Sequence, residues 1–262
     1  NRKEIIFTRG TTEAINLVAQ SYGRNNLKKD DEELISELEH HSNIVPWQIV
    51  CEQTGAKLKV SPITDGGEID LERFSQLLSS QTKIVAIGHI SNALGTVNPV
   101  AEIVNRAHAT GSVVLIDGAQ ASIHTRLDMQ ELDCDFYAFS GHKALGPTGI
   151  GILYGRAELL EEMPPYQGGG DMIKTVSFDG TEYNDIPYKF EAGTPNIAGS
   201  LGLAAAINYF TALDMDGLLE HERRLLDTAT ERAKAISGLQ IIGHARDKAA
   251  VLSFNIEGIH PH

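Results

Sequence analysis

Short apolar runs alternate with amphipathic segments along most of this chain, and that alternation admits few folds. Parallel strands need long crossovers and cover on both faces, so the pattern specifies βαβ units around a largely parallel sheet. Val113-Val114-Leu115-Ile116 is the plainest instance, apolar enough for burial on both faces and closed by Asp117. Strands are expected over 5–8, 33–36, 57–63, 83–90, 113–117, 134–139 and 149–154. Helices are expected over 11–22, 70–78 and 100–109, with another through Val45, Ile49 and Val50. The texture then changes: 164–170 reads as a loop, and 177–196 as irregular, with few apolar alternations. Helices return over 198–213 and 217–236, the second leading to a smaller domain on strands near Ile241 and Val251. The expected division is a large α/β domain over 1–212 and the start of a smaller α+β domain over 213–262.

A net charge of −13 argues against non-specific nucleic-acid binding, which needs an excess of lysine and arginine to neutralise phosphates. The two cysteines, Cys51 and Cys134, make a disulfide framework a poor reading and a reducing compartment such as the cytoplasm the better one. No apolar run approaches the ~18–20 residues that span a bilayer, so no membrane segment is expected. The chain opens on Asn1 just before a strand and stops at His262 just after one, and reads as an internal fragment.

Open α/β sheets bind ligands at the carboxyl ends of their strands, which directs attention to the polar residues there. Asp117 and Gln120 follow one strand; Ser140, His142 and Lys143 follow another. Thr11 and Thr12 open a helix after Gly10, Asn92 follows a third strand, and His40 a fourth. A lysine at a strand end in a Gly/Pro-rich turn can form an imine when desolvation lowers its pKa. A carboxylate such as Asp117 can pair with a protonated pyridine nitrogen, and a helix start rich in glycine and hydroxyls can hold a phosphate. His40 has the flat ring and near-neutral titration suited to stacking or proton movement.

Each group also has an ordinary reading. An aspartate after a strand commonly caps a turn, a Ser-x-His-Lys sequence is commonly a loop, and Thr-Thr commonly an N-cap. His40-His41 as a metal pair is disfavoured because neighbours on a strand point to opposite faces, and no metal site is expected. Gly149 and Gly151 lack the spacing and downstream acid of a dinucleotide loop. The order of the groups along the chain is what carries weight.

That order resembles the aminotransferase class V family of fold-type I pyridoxal-phosphate enzymes, and within it the cysteine desulfurase/selenocysteine lyase group. Thr8-Arg9-Gly10-Thr11-Thr12-Glu13-Ala14-Ile15-Asn16 is similar to the family's phosphate-side helix start. Glu39-His40-His41-Ser42-Asn43-Ile44-Val45-Pro46-Trp47 resembles the segment with the ring-stacking histidine, which maps to His40. Ser91-Asn92-Ala93-Leu94-Gly95-Thr96 resembles the stretch whose asparagine lies near cofactor and substrate. Asp117-Gly118-Ala119-Gln120 matches the pyridinium aspartate and the glutamine at the ring hydroxyl. Ser140-Gly141-His142-Lys143 matches phosphate ligands and the Schiff-base lysine, and Phe190-Glu191-Ala192-Gly193-Thr194-Pro195-Asn196 completes the set.

The resemblance implies pyridoxal 5'-phosphate on Lys143, and conversion of L-cysteine to L-alanine with sulfur carried as an enzyme persulfide. It further implies an acceptor protein of iron–sulfur cluster assembly, and a homodimer in which Thr194 binds the neighbouring subunit's phosphate. L-selenocysteine is the alternative substrate. The rival readings are another class V member, such as a selenocysteine lyase, epimerase or aminotransferase, and an inactive cofactor-binding piece. In the family the persulfide-forming cysteine and the arginine for the substrate carboxylate lie towards the C-terminus, and neither is expected within this chain. Cys51 and Cys134 are expected to be ordinary buried thiols.

Overall fold

The computed structural model describes residues 1–260. The elements run β1 (Ile5–Thr8), α1 (Thr11–Val18), α2 (Arg24–Asn26), β2 (Glu32–Ser36), α3 (Val45–Thr54), β3 (Lys57–Ser61), α4 (Leu71–Leu77) and β4 (Thr82–Gly88). They continue through α5 (Val100–His108), β5 (Val113–Asp117), α6 (Ala121–His124), α7 (Met129–Leu132), β6 (Phe136–Ser140), β7 (Gly151–Gly155) and α8 (Ala157–Glu162). A hairpin of β8 (Ile173–Ser177) and β9 (Gly180–Tyr183) follows, then α9 (Ile197–Thr211) and α10 (Met215–Lys234). The strands β10 (Leu239–Ile242) and β11 (Ser253–Ile256) pair with each other in a separate antiparallel sheet.

Seven strands form the main sheet in the order β1-β7-β6-β5-β4-β2-β3. The pairs from β3 through β6 are all parallel, whereas β7 runs antiparallel to both β6 and β1. The apolar runs are sorted by strand period. Ile35, Ile84, Ala86, Leu115, Phe136 and Ala138 join a core with Ile15, Trp47 and Val50. Leu34, Val85, Ile87, Val114, Ile116 and Tyr137 join the other core with Phe74, Ile103 and Val104. The helix α5 shows why it packs there: Val100, Ile103, Val104 and Ala107 recur at helical spacing and all are buried.

Several expectations need correction. The helix expected over 11–22 is α-helical only to Val18, then widens into a π-helical turn over Ala19–Gly23. The stretch 177–196, expected to be irregular, contains β9, which pairs with β8 although both are largely exposed; with no buried face, it carries no apolar alternation to read. Cys134 stands two residues before its strand, which starts at Phe136. His40 is not on a strand: it caps a 3-10 turn over His41–Asn43, and its ring lies 5.5 Å from that of His41. Among the described residues no cluster of three or more histidine, cysteine or acidic side chains is arranged to hold a metal, and no single helix is long and apolar enough to cross a membrane.

Glu33 is fully buried in β2, and neither carboxyl oxygen has a hydrogen-bond partner among the described residues. Burial therefore holds its proton well above the usual carboxylate range. As pH rises past the ordinary value the unfolded chain releases this proton while the folded chain keeps it, so stability falls with rising pH. Glu33→Leu should raise the unfolding free energy by ~1–3 kcal/mol at pH 8, with a smaller gain at pH 5, because an unpartnered buried polar group is removed. Chemical denaturation at both pH values is the check, and an unstabilised variant or equal gains would refute the account.

Candidate active site

The carboxyl ends of β2, β4, β5 and β6 and the N-terminus of α1 enclose a cavity of about 280 Å³. Thr11, Thr12, His40, Asn92, Asp117, Gln120, Ser140, His142 and Lys143 all line it, so nine of the ten expected positions converge. Thr194 is the exception. It lies in a separate groove with Phe7, Glu191 and Asn196, on an exposed segment.

The α1 end is built by glycine and hydroxyls. Gly10 takes φ +152°, and a Cβ there would sit 3.0 Å from Ser140 Oγ. That close approach lets Ser140 Oγ accept from Thr11 N–H at 2.8 Å and meet Thr11 Oγ1 at 2.8 Å. The remaining first-turn N–H groups are those a helix leaves without internal partners, at the positive end of its dipole. His142 and Lys143 follow on a short 3-10 turn over Gly141–Lys143, carried directly by the end of β6.

At the other end, Asp117 closes β5 and is 6% exposed. Its Oδ1 accepts from Ala119 N–H at 2.9 Å. Burial pushes the carboxyl up, while that N–H and the nearby Lys143 and His40 side chains, the second only when protonated, hold it down. Gly118 makes this placement possible, since a Cβ there would meet the Tyr137 ring at 2.0 Å. A buried carboxylate facing a cavity is best satisfied by a cation in contact with it. With an amine at Lys143 and anion-binding N–H groups at α1, the donor set fits an aldehyde-bearing pyridinium phosphate.

Two further lining residues, Glu39 and Ser42, stand in the motif around His40, and the resemblance implies no role for either. Glu39 Oε1 accepts from Ser36 Oγ at 2.5 Å and Oε2 from Asn43 Nδ2 at 2.6 Å; Asn43 Oδ1 in turn accepts from Trp47 Nε1 at 3.0 Å. Burial pushes the Glu39 carboxyl up to about 7 against donors from Ser36, Asn43 and Gly88, and the charge of Asp117 adds to the rise. The available signal was four polar or aromatic residues at spacings of three and four, Ser36, Glu39, Asn43 and Trp47, which crosses a strand–turn–helix boundary. Cys51 and Cys134 do not line the cavity, and burial pushes both thiols up to about 12.

The family described as aminotransferase class-V matches residues 1–262. A cysteine desulfurase of Dickeya dadantii is 51% identical over 259 residues, covering 98% of this chain and 63% of that protein. A cysteine desulfurase of Synechococcus elongatus is likewise 51% identical, covering 99% of this chain and 41% of that protein. The crystal structure of the Escherichia coli cysteine desulfurase CsdA superposes with a TM-score of 0.95 at 44% identity, covering 98% of this chain and 64% of that one. This chain therefore spans less than two thirds of the length of these relatives.

Proposed function

Because this chain belongs to the aminotransferase class-V family, we propose that it is the cofactor-binding part of a pyridoxal-phosphate-dependent cysteine desulfurase. The observation that carries this reading is the placement of Lys143 and Asp117 on one cavity that the N-terminus of α1 also lines. When bound, the cofactor supplies an electron sink for the α-carbon of an amino acid. Lys143 Nζ would hold the aldehyde carbon as an imine, with loss of water, and Asp117 would pair with the ring nitrogen and keep it protonated. Thr11, Thr12, Ser140 and His142 hold the phosphate, Gln120 the ring hydroxyl, and Asn92 the substrate side. His40 bears on the ring and, with the released amine of Lys143, supplies the groups that manage protons.

The net reaction is L-cysteine plus a thiol giving L-alanine plus a persulfide on that thiol, destined for an acceptor protein of iron–sulfur assembly. Assembly as a homodimer is supported by the exposed apolar side chains of α9, Ile197, Leu201, Ile207 and Tyr209. In that dimer Thr194 binds the partner's cofactor phosphate, which accounts for its place outside this chain's own cavity. Two unpaired cysteines suit the cytoplasm.

The accepting thiol must reach the substrate sulfur as a thiolate, and neither Cys51 nor Cys134 qualifies. Cofactor-loaded chain given cysteine and a reductant should release no sulfide above the free-cofactor background. Turnover that disappears in Cys51→Ala or Cys134→Ala would place the nucleophile within this chain and overturn the assignment.

A further inference from the structure

The histidine at the cavity is held from both sides. Ahead of it, the buried Glu39 carboxyl ties the end of β2 to Asn43, and through Asn43 to Trp47 in α3. Behind it, Ser42 N–H donates to His40 Nδ1 at 3.2 Å, and Ser42 Oγ lies 2.8 Å from the same nitrogen. A backbone N–H can only donate, so Nδ1 of the neutral ring must offer its lone pair and cannot carry hydrogen. The Ser42 hydroxyl adapts, since it donates to a bare Nδ1 and accepts from a protonated one. The proton of neutral imidazole is thereby left on Nε2, at the ring edge away from Ser42.

We propose that the backbone N–H of Ser42, held in place by the positioning residue Glu39, locks neutral His40 in its Nε2–H form, so that it meets the bound ligand as a hydrogen-bond donor. Of His40 and Lys143, the proton acceptor is then the amine of Lys143, with His40 oriented to bind an electron-rich atom such as a thiolate sulfur. Fixing a tautomer through the second ring nitrogen is a general device for imidazoles in sites. What the donor meets rests on the proposed desulfurase reading; the tautomer does not, and the two fail separately.

The test uses histidine-15N-labelled, cofactor-free chain at a pH where the imidazole is neutral, with the His40 signals assigned by their loss in His40→Gln. Wild type should show an Nε2-protonated, Nδ1-bare pattern, more extreme than the tautomer mixture of a free imidazole. Ser42→Ala, which keeps the N–H, should retain it. Glu39→Ala should move both nitrogens towards the free mixture as the turn loosens, and Glu39→Gln, which keeps an acceptor oxygen, should stay near wild type. An Nδ1–H pattern or an unbiased mixture in wild type overturns the proposal. So does an unchanged wild-type pattern in folded Glu39→Ala; should that variant not fold, the wild-type and Ser42→Ala spectra decide.

Discussion

Lys143→Ala chain mixed with pyridoxal phosphate is expected to show no protein-bound visible band and no adduct after borohydride reduction. The amine sits on a 3-10 turn at the end of β6 and lines the same cavity as Asp117. Other lysines of the chain are placed differently: Lys189 donates to Glu161 O, and Lys59 pairs with Glu32. Covalent capture needs an amine held beside the aldehyde, and such placement is worth as much as ~7–11 kcal/mol of barrier. Loss of the adduct should therefore be close to complete, while phosphate-side contacts leave weak non-covalent binding. An unchanged adduct, mapped by peptide mass to another lysine, would remove Lys143 from its role.

Asp117→Asn is expected to slow exchange of the α-hydrogen of a bound amino acid by on the order of 10²-fold. A contacting carboxylate favours a charged partner by ~1–3 pKa units, and the neutral amide forgoes that. Asparagine keeps the shape and the acceptor for Ala119 N–H, so the fold and cofactor affinity should change much less than the exchange rate. Nitrogen-15 spectra of labelled cofactor provide an independent readout, with the ring nitrogen protonated in wild type and bare in the variant. Exchange at wild-type rate together with a protonated ring nitrogen would show that another group stabilises the charge. The experiment also separates Asp117 from Glu39, whose carboxyl faces the same cavity but is engaged by Ser36 and Asn43.

Much of this was legible in the sequence because the signals are local. Val113-Val114-Leu115-Ile116 declares a strand buried on both faces, and burial of 114–117 follows. Val100, Ile103, Val104 and Ala107 declare a helix with one apolar stripe. The exposed hairpin of β8 and β9 declared nothing, since neither strand has a buried face to impose a period of two. The role of Glu39 is hidden in the sequence for a related reason. Its partners Ser36, Asn43 and Trp47 belong to a strand, a turn and a helix, and no single periodicity links them.

The sequence by itself determined the seven strands of the main sheet and the longer helices with an apolar stripe, and placed the reactive residue types after strands where an α/β sheet presents its ligands. Only the tertiary structure decided which strand ends are neighbours. The order β1-β7-β6-β5-β4-β2-β3 brings Thr11 against Ser140, and sets His40 on one cavity with Asp117 and Lys143. It also left Thr194 in a different groove and both thiols buried away from the cavity. Side-chain periodicity is fixed within a window of a dozen residues. Neighbour order is fixed by how two apolar faces of a whole sheet are covered, and burial strong enough to hold the Glu39 carboxyl near pH 7 exists only once that cover is complete.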